Sequence, residues 1–311
     1  NQVLENNLTR LPQLVQEDGA IHPTFHQGGA WEEHGAAGKE APRTGRLSSS
    51  GPNLQNITHH GDADRPYVAA WAHEIRKAFV ARPGMVLFKA DIGQEEPRIG
   101  AFLAGDHDLL HELDTGDVYC PVAALEFGRP VTRADVEERQ IGKRGWMAWL
   151  NGAGPAGIQQ SAFWLTGEQA GRVVKFLQNR HPLVEAHRAA LVAALYERGY
   201  TSTFFHRRIY RPEVWSGPGP ARNHAERSVM PDAIQGTAAD VMKQWLPRAA
   251  ALLPRSAHLL LTIHDELVGE MESDDWVQVK WALEQALAGI LPIHLPCEFF
   301  VGPNWAEMER R

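Results

Sequence analysis

Cysteine is nearly absent from this chain: Cys120 and Cys297 are the only two among 311 residues. That is too few for a disulfide framework or for a zinc site built on thiolates alone. A reducing, cytoplasmic setting is expected. Long hydrophobic runs are missing as well. A membrane span needs roughly 18 consecutive apolar residues, whereas the longest candidate, Leu259 to Ile263, stops at His264. The sequence therefore predicts a protein that is not integral to a membrane. The chain opens at Asn1 on a polar stretch, with neither a basic segment nor an apolar one. No secretory signal is expected, and the missing initiator Met points to a fragment of something longer. Positive charge is in deficit, with 31 Lys and Arg against 38 Asp and Glu for a net −7. This tells against a wholly electrostatic nucleic-acid binder but leaves room for a local basic channel.

What is present is a globular composition. With 43% hydrophobic and 22% charged residues, the chain is neither disordered nor collagen-like. At roughly 150 residues per domain, the length predicts about two domains, or one larger α/β body with an inserted lobe. Residues 1–60 are polar and rich in Gly and His, which favours loops and turns. Ile75 to Phe79 and Met85 to Ala90 are predicted strands, joined by an Arg82-Pro83-Gly84 turn. The second strand leads directly into Asp91, and a helix is expected from Gln94 to Leu103, with Pro97 tolerated in its first turn. Between about residues 106 and 200 the spacing is helical, notably Asp135 to Leu150, Thr166 to Gln178 and Leu183 to Glu197. A hairpin follows from Thr203 to Arg211, a Gly/Pro loop from Trp215 to Ala221, and a helix from about Glu226 to Leu246. The C-terminal part predicts a strand Leu259 to Ile263, its hairpin partner Leu267 to Met271, a helix Trp276 to Leu287 and a strand Cys297 to Val301. No internal repeat is visible.

Two of these apolar strands deliver carboxylates, one ending in Asp91 and the other in His264-Asp265-Glu266. Hard divalent cations such as Mg²⁺ take oxygen ligands, often one or two carboxylates completed by substrate phosphates. A pair of such ions roughly 3.5–4 Å apart can clamp the attacking and leaving oxygens of a phosphoryl transfer. Taken singly, each acid could equally end its strand and cap a turn. On the helix Asp135 to Leu150, Arg139, Lys143, Met147 and Asn151 follow at four-residue spacing and share one slowly drifting face. The two cations suit a triphosphate, and the apolar and amide groups would lie farther along, over a sugar and base. A solvated basic face would look the same. The cluster His206-Arg207-Arg208-Ile209-Tyr210-Arg211 could neutralise phosphates with an aromatic interleaved, but is a weak signal alone. Trp146 and Trp149 fit core packing better than base stacking. The histidines, including His59 and His60, lack a zinc-ligand spacing.

In order along the chain, these pieces resemble family A DNA polymerases, the bacterial DNA polymerase I group. The resemblance starts at Thr44-Gly-Arg-Leu-Ser-Ser-Ser50 and Pro52-Asn-Leu-Gln-Asn56. It continues through Ala90-Asp-Ile-Gly-Gln-Glu-Glu-Pro-Arg98, similar to motif A, and Arg139-x3-Lys143, similar to motif B. Gln235-Gly-Thr-Ala-Ala-Asp240 and the motif C stretch Ile263-His-Asp-Glu-Leu-Val268 complete it. The resemblance implies an α+β right-hand fold: an antiparallel palm sheet from residues 44–105 and 201–311, helical fingers over 106–200, and only a thumb remnant over 1–43. It implies a DNA-directed DNA polymerase that uses two Mg²⁺ ions, with Mn²⁺ as a substitute, and takes primer-template DNA and dNTPs as partners. Further domains or a processivity partner would supply additional grip.

By the same resemblance, Asp91 and Asp265 hold the metals with Glu266 in support, and Arg139 and Lys143 grip the triphosphate. Glu96 is the steric gate against a ribose 2′-OH, with Gln94 and Arg98 in the same layer. Arg46, Asn53, Gln55, Asn56, Arg98, Arg227, Gln235 and His264 fall where the family touches DNA. The chain departs from the family at Ile92-Gly93, Glu95, Pro97 and Pro231. Met147 replaces an aromatic against the sugar, and Asn151 replaces a Tyr that braces the gate. Two other readings stay open: a polymerase-fold module that binds primer-template with little catalysis, and an RNA-making single-subunit polymerase, which Glu96 and His264-Asp265-Glu266 disfavour.

Overall fold

The computed structural model describes residues 10–27, 42–57, 73–161 and 165–311. The thumb expectation for residues 1–43 falls partly, and His59 and His60 wholly, outside them. The chain forms two compact units, one of residues up to Gly93 together with Ala239–Arg311, the other Gln94–Ala238.

The first unit is built on a five-stranded antiparallel sheet in the order Ala257–Ile263, Glu266–Met271, Val86–Ile92, Cys297–Gly302, Glu309–Arg310. Side chains alternate across a strand. Phe88, Ala90 and Ile92 therefore share one face, all fully buried, and Phe88 stacks on Phe299 at 5.9 Å. Leu87, Lys89 and Asp91 share the other. There Leu87 joins Leu11, Leu54, Ile57, Ile75, Ile263, Val268 and Trp305 in a core cluster. The strand Glu266–Met271 is buried throughout. Its Gly269 admits no side chain, because a Cβ would stand 2.3 Å from the Phe88 ring and 2.5 Å from the His258 carbonyl. The helix Trp276–Leu287 has the predicted bounds, and the Leu283 carbonyl accepts from the Trp245 indole at 2.9 Å.

Several expectations are corrected in this unit. Residues 73–77 are helical rather than a strand. The run Ile75-Arg76-Lys77-Ala78-Phe79 is too short for periodicity to choose, and contacts with Trp305 decide: the Arg76 guanidinium lies over its ring at 4.1 Å and Phe79 meets it edge-on at 5.4 Å. Asp91 does not follow its strand but lies inside it, since pairing reaches Asp91 on one side and Ile92 on the other. Glu266 likewise begins a strand, so His264 and Asp265 alone form the tip of the last hairpin.

The second unit is helical, with Glu95–Ala104, His107–Thr115, Cys120–Phe127, Val136–Leu150, Pro155–Ser161, Gly167–Arg180 and Pro182–Arg198 in succession. Termini follow the sequence chemistry. Thr166 and Gln169 form a reciprocal capping box, and Gly105, Gly128 and Gly199 close helices in the left-handed conformation. Trp146 and Trp149 are core residues, 0% and 1% exposed, meeting at 5.8 Å. The predicted hairpin is present but displaced, with Tyr200–Ser202 pairing Arg208–Tyr210. The long helix runs Pro220–Leu252, not Glu226 to Leu246. Pro220 ends the Gly/Pro loop and starts the helix, because its fixed φ suits a first helical residue.

Helices Cys120–Phe127 and Val136–Leu150 cross at backbone distance. A Cβ on Gly142 would lie 2.3 Å from the Tyr119 carbonyl and 2.8 Å from the Ala123 nitrogen. Backbone atoms cannot yield as a flexible side chain can, so Gly142→Ala is expected to destabilise the fold by about 1–3 kcal/mol. The denaturant midpoint measures this, and an unchanged midpoint would refute the close crossing.

Candidate functional site

The carboxylates are assembled in the first unit. In the central strand Asp91 stands opposite Glu266 on one side and Glu298 on the other. The next amide, of Ile92, donates to the Asp265 carbonyl at 3.1 Å and ties the hairpin tip to the strand end. His264 turns that tip with φ 56°. Burial, reinforced by the charges of Asp265 and Glu266, lifts the Asp91 carboxyl to about 7, with Lys89 pulling the other way. Glu266 is raised too, by burial first, although Lys89 and Arg76 oppose it. Its carboxylate is engaged by the Lys89 ammonium at 3.1 Å, which also lies 4.7 Å from the Phe300 ring.

Oxygen donors crowded against mutual repulsion are chemically suited to a hard divalent cation. Among the described residues, however, no group of three or more His, Cys, Asp or Glu is arranged to hold a metal. The charge of Asp265 acts on Asp91, and one or two carboxylates are the donors that Mg²⁺ takes beside substrate oxygens.

The cations are assembled in the second unit. Arg139 and Lys143 project from Val136–Leu150 toward Tyr119, with the Arg139 guanidinium 5.0 Å and the Lys143 ammonium 5.9 Å from its ring centre. Burial lifts the Tyr119 hydroxyl to about 12, and Gln94 hydrogen-bonds it. Arg139 donates to Asp117 at 2.7 Å, and Arg133 lies 3.3 Å from the same carboxylate. Burial works to raise Asp117, but the Arg139 bond and the backbone amides of Cys120 and Tyr119 outweigh it and hold the group low. Lys143 is exposed and Met147 half-buried. Asn151 lies just past the helix as its C-cap; its amide nitrogen donates to the Met147 carbonyl at 3.0 Å, while its buried oxygen has no partner among the described residues. At Gly152, with φ 80°, a Cβ would approach the Arg227 carbonyl to 3.0 Å, so the loop after this helix abuts the helix Pro220–Leu252 at Arg227.

The other expected positions vary in exposure. Gln94 holds a left-handed conformation before Glu95–Ala104, and Glu96 and Gln235 are half-buried. Arg98 is 4% exposed, its guanidinium bonded to Asp114 at 2.6 Å and to the Leu113 carbonyl at 3.0 Å. Gln55, 9% exposed, donates to the Thr262 carbonyl at 3.0 Å. Asn53 accepts from the Gln55 amide at 3.1 Å, and Asn53, Asn56, Arg227 and His264 are exposed, with Arg46 half-buried. Tyr119, Asp117 and Lys89 were passed over in the sequence. An Asp ahead of an apolar helical stretch is a capping signal that marks Asp117, but nothing local ties it to Arg139.

Comparison with known proteins follows this geometry. The family model for DNA polymerase family A matches residues 1–307. DNA polymerase I of Pseudomonas aeruginosa is 35% identical over 308 residues, covering 96% of this chain and 31% of that protein. The thermostable DNA polymerase I of Thermus filiformis is 34% identical, covering 97% and 34%. The chain therefore spans about a third of the length of these relatives. Among solved structures, the POL domain of Pol1 from M. smegmatis, in complex with DNA primer-template and dNTP, superposes with a TM-score of 0.83 at 29% identity, covering 98% of this chain and 51% of that one.

The raised Asp91 carboxyl fixes the sign of a pH effect. Its folded value, about 7, lies above the ordinary aspartate value of 3.8, so its stabilising contribution is complete below the lower figure and is lost as pH rises through the higher. Asp91→Asn should therefore raise the Tm of metal-free protein at pH 8, with the gain shrinking as pH falls below 7. Added Mg²⁺ should stabilise the native chain more than the variant. Equal Tm values at pH 8 would remove the repulsion from Asp91.

Proposed function

The chain belongs to DNA polymerase family A, and from this we propose that it performs template-directed DNA synthesis, adding dNTPs to a primer 3′-OH. The observation that carries the proposal is the clamp on Asp91, which holds acids together on a rigid ladder at the cost of raising one of them to about 7. In this reading Asp91 and Asp265 hold two Mg²⁺ ions. Bound there, the ions supply polarisation of the primer hydroxyl and neutralise charge on the triphosphate. Residues 44–105 and 201–311 serve as palm, 106–200 as fingers, and 1–43 as a thumb remnant.

The chain's own side chains orient and stabilise. Lys89 neutralises Glu266, so the buried acid beside Asp91 is not left uncompensated. Lys143 offers a compact charge to the triphosphate and Arg139 a bidentate fork, for which Arg139 exchanges Asp117 for phosphate. Glu96 excludes the ribose hydroxyl, with Met147 beneath the sugar and Asn151 near the base. Arg46, Asn53, Asn56, Arg227, Gln235 and His264 contact primer-template, and the buried Gln55 and Arg98 brace the backbone behind them. The hold of Asp117 on Arg139 favours a second reading, in which the chain binds primer-template with little synthesis. Primer extension with Mg²⁺ separates the two, since only the first yields a product ladder.

Asp91→Ala and Asp265→Ala should each abolish extension while primer-template affinity stays near that of the native chain. Turnover near the native rate in either variant would end the two-metal assignment. Lys143→Ala should lower kcat/KM for dNTP by roughly 10- to 150-fold, the scale of a lost charge-assisted hydrogen bond. An unchanged value would take Lys143 out of the site.

Sugar selection should be loose. The Asn151 amide is turned back onto its own helix, so it cannot brace Glu96 as a Tyr would, and Met147 is a flexible filler rather than a fixed ring. Ribonucleotides should be incorporated measurably, with Glu96→Ala lowering the dNTP to rNTP ratio of kcat/KM within about 10- to 200-fold. A ratio insensitive to Glu96 would show that the gate is elsewhere.

A further inference from the structure

We propose that the hairpin spanning residues 200–210 carries a stacking platform for single-stranded nucleic acid, formed by Tyr200, Arg208 and Tyr210 on its outer face and extended by Trp215. The alternation of the hairpin creates the platform. Thr201 and Ile209 point inward, 4% and 2% exposed. Their neighbours Tyr200 and Tyr210 stand directly opposite each other, ring centres 5.5 Å apart, and Tyr210 is 59% exposed. The Arg208 guanidinium lies over the Tyr200 ring at 4.9 Å and hydrogen-bonds Tyr210. Both partners are tyrosines rather than acids, so these contacts hold the guanidinium in place without offsetting its charge.

Trp215 continues this surface. A Cβ on Gly199 would fall 2.3 Å from the indole, so the ring lies flush on the backbone just before Tyr200. The Trp215 N–H donates to the Tyr196 carbonyl at 2.9 Å, and the side chain remains 60% exposed. Two exposed rings, Tyr210 and Trp215, beside a half-buried Tyr200 that Arg208 covers, offer surface on which unpaired bases can stack, and stacking of this kind tolerates any sequence. The charge agrees at Arg208, which is exposed, whereas Arg211 is buried against Asp232 at 2.7 Å and Arg207 donates to the Gly236 carbonyl at 2.9 Å. Residues 199–212 hold no Asp or Glu, and Glu213 follows directly. An exposed guanidinium beside exposed rings suits a base flanked by phosphate.

The platform is independent of catalysis, so its test needs neither metal nor dNTP. Fluorescence anisotropy of a labelled oligo-dT of about 16 nucleotides, the upper end of single-strand site sizes, is measured against the full chain at low and moderate salt, with a blunt duplex as second probe. Tyr210→Ala should weaken oligo-dT binding by about 5- to 150-fold, the scale of one lost base stack, and leave duplex binding unchanged. Tyr210→Trp should restore it, and Arg208→Ala should weaken it with a shallower salt dependence. Circular dichroism confirms folding. Should Tyr210→Ala not fold, Arg208→Ala with the Tyr210→Trp comparison decides. The proposal is overturned if native chain and variants bind oligo-dT alike, if Tyr210→Trp is as weak as the alanine variant, or if duplex binding falls equally. Loss of extension in Asp91→Ala bears only on the polymerase reading.

Discussion

Hydrogen bonding on both sides of the strand Val86–Ile92 is the constraint from which the acidic site follows. Asp91, Glu266 and Glu298 are neighbours because three strands keep register, and the Ile92 amide adds the hairpin tip by bonding the Asp265 carbonyl. Burial first and the charges of Asp265 and Glu266 second raise the Asp91 carboxyl, and the backbone ladder holds it there against both. Register is critical here. A slip of one residue would exchange the two faces of the strand, sending Asp91 into the apolar layer of Phe88 and Phe299 and bringing Phe88 onto the charged face.

The cationic region rests on a different kind of constraint. Arg139 and Lys143 stand on a helix whose inner side is aromatic, with Trp146 edge-on to Tyr119 at 5.9 Å and to Trp149 at 5.8 Å. The buried indoles orient the helix, and its outer side then presents the charges. Tyr119 belongs to both layers. It is 2% exposed, packs on Trp146, and offers its ring to the two cations. Because Arg139 already spends hydrogen-bonding capacity on Asp117, the guanidinium is aligned before any ligand arrives.

Much of this was legible in the residues, for identifiable reasons. Trp276 to Leu287 shows helical spacing with clear ends, whereas Leu259 to Ile263, expected as a buried strand, lies at the sheet edge with Leu260 45% exposed, because an apolar run does not show which strand of a sheet will be outermost. Asp91 and Asp265 were visible as acids on apolar strands, and Arg139 and Lys143 as a four-residue step. The family motifs joined them. Ile75 to Phe79 was misread because five residues are too few to carry a decisive period, and Trp305, far along the chain, settled its conformation. Pro220 was assigned to a loop because proline both breaks and begins helices. Lys89, Asp117 and Tyr119 were illegible for a common reason: Lys89 meets Glu266, and Asp117 meets Arg139, across separations that no local pattern spans.

The crossing at Gly142 bears on how such a protein can diverge. Since the two helices touch through backbone atoms, their spacing is set without reference to the side chains farther along the seam. Positions 147 and 151 can therefore drift in size and polarity while the cationic end of the helix keeps its coordinates. In the proposed polymerase reading, such a chain could retune what it accepts next to the sugar without first rebuilding its grip on phosphate. Met147 and the C-cap Asn151 lie beyond that fixed glycine on the same helix.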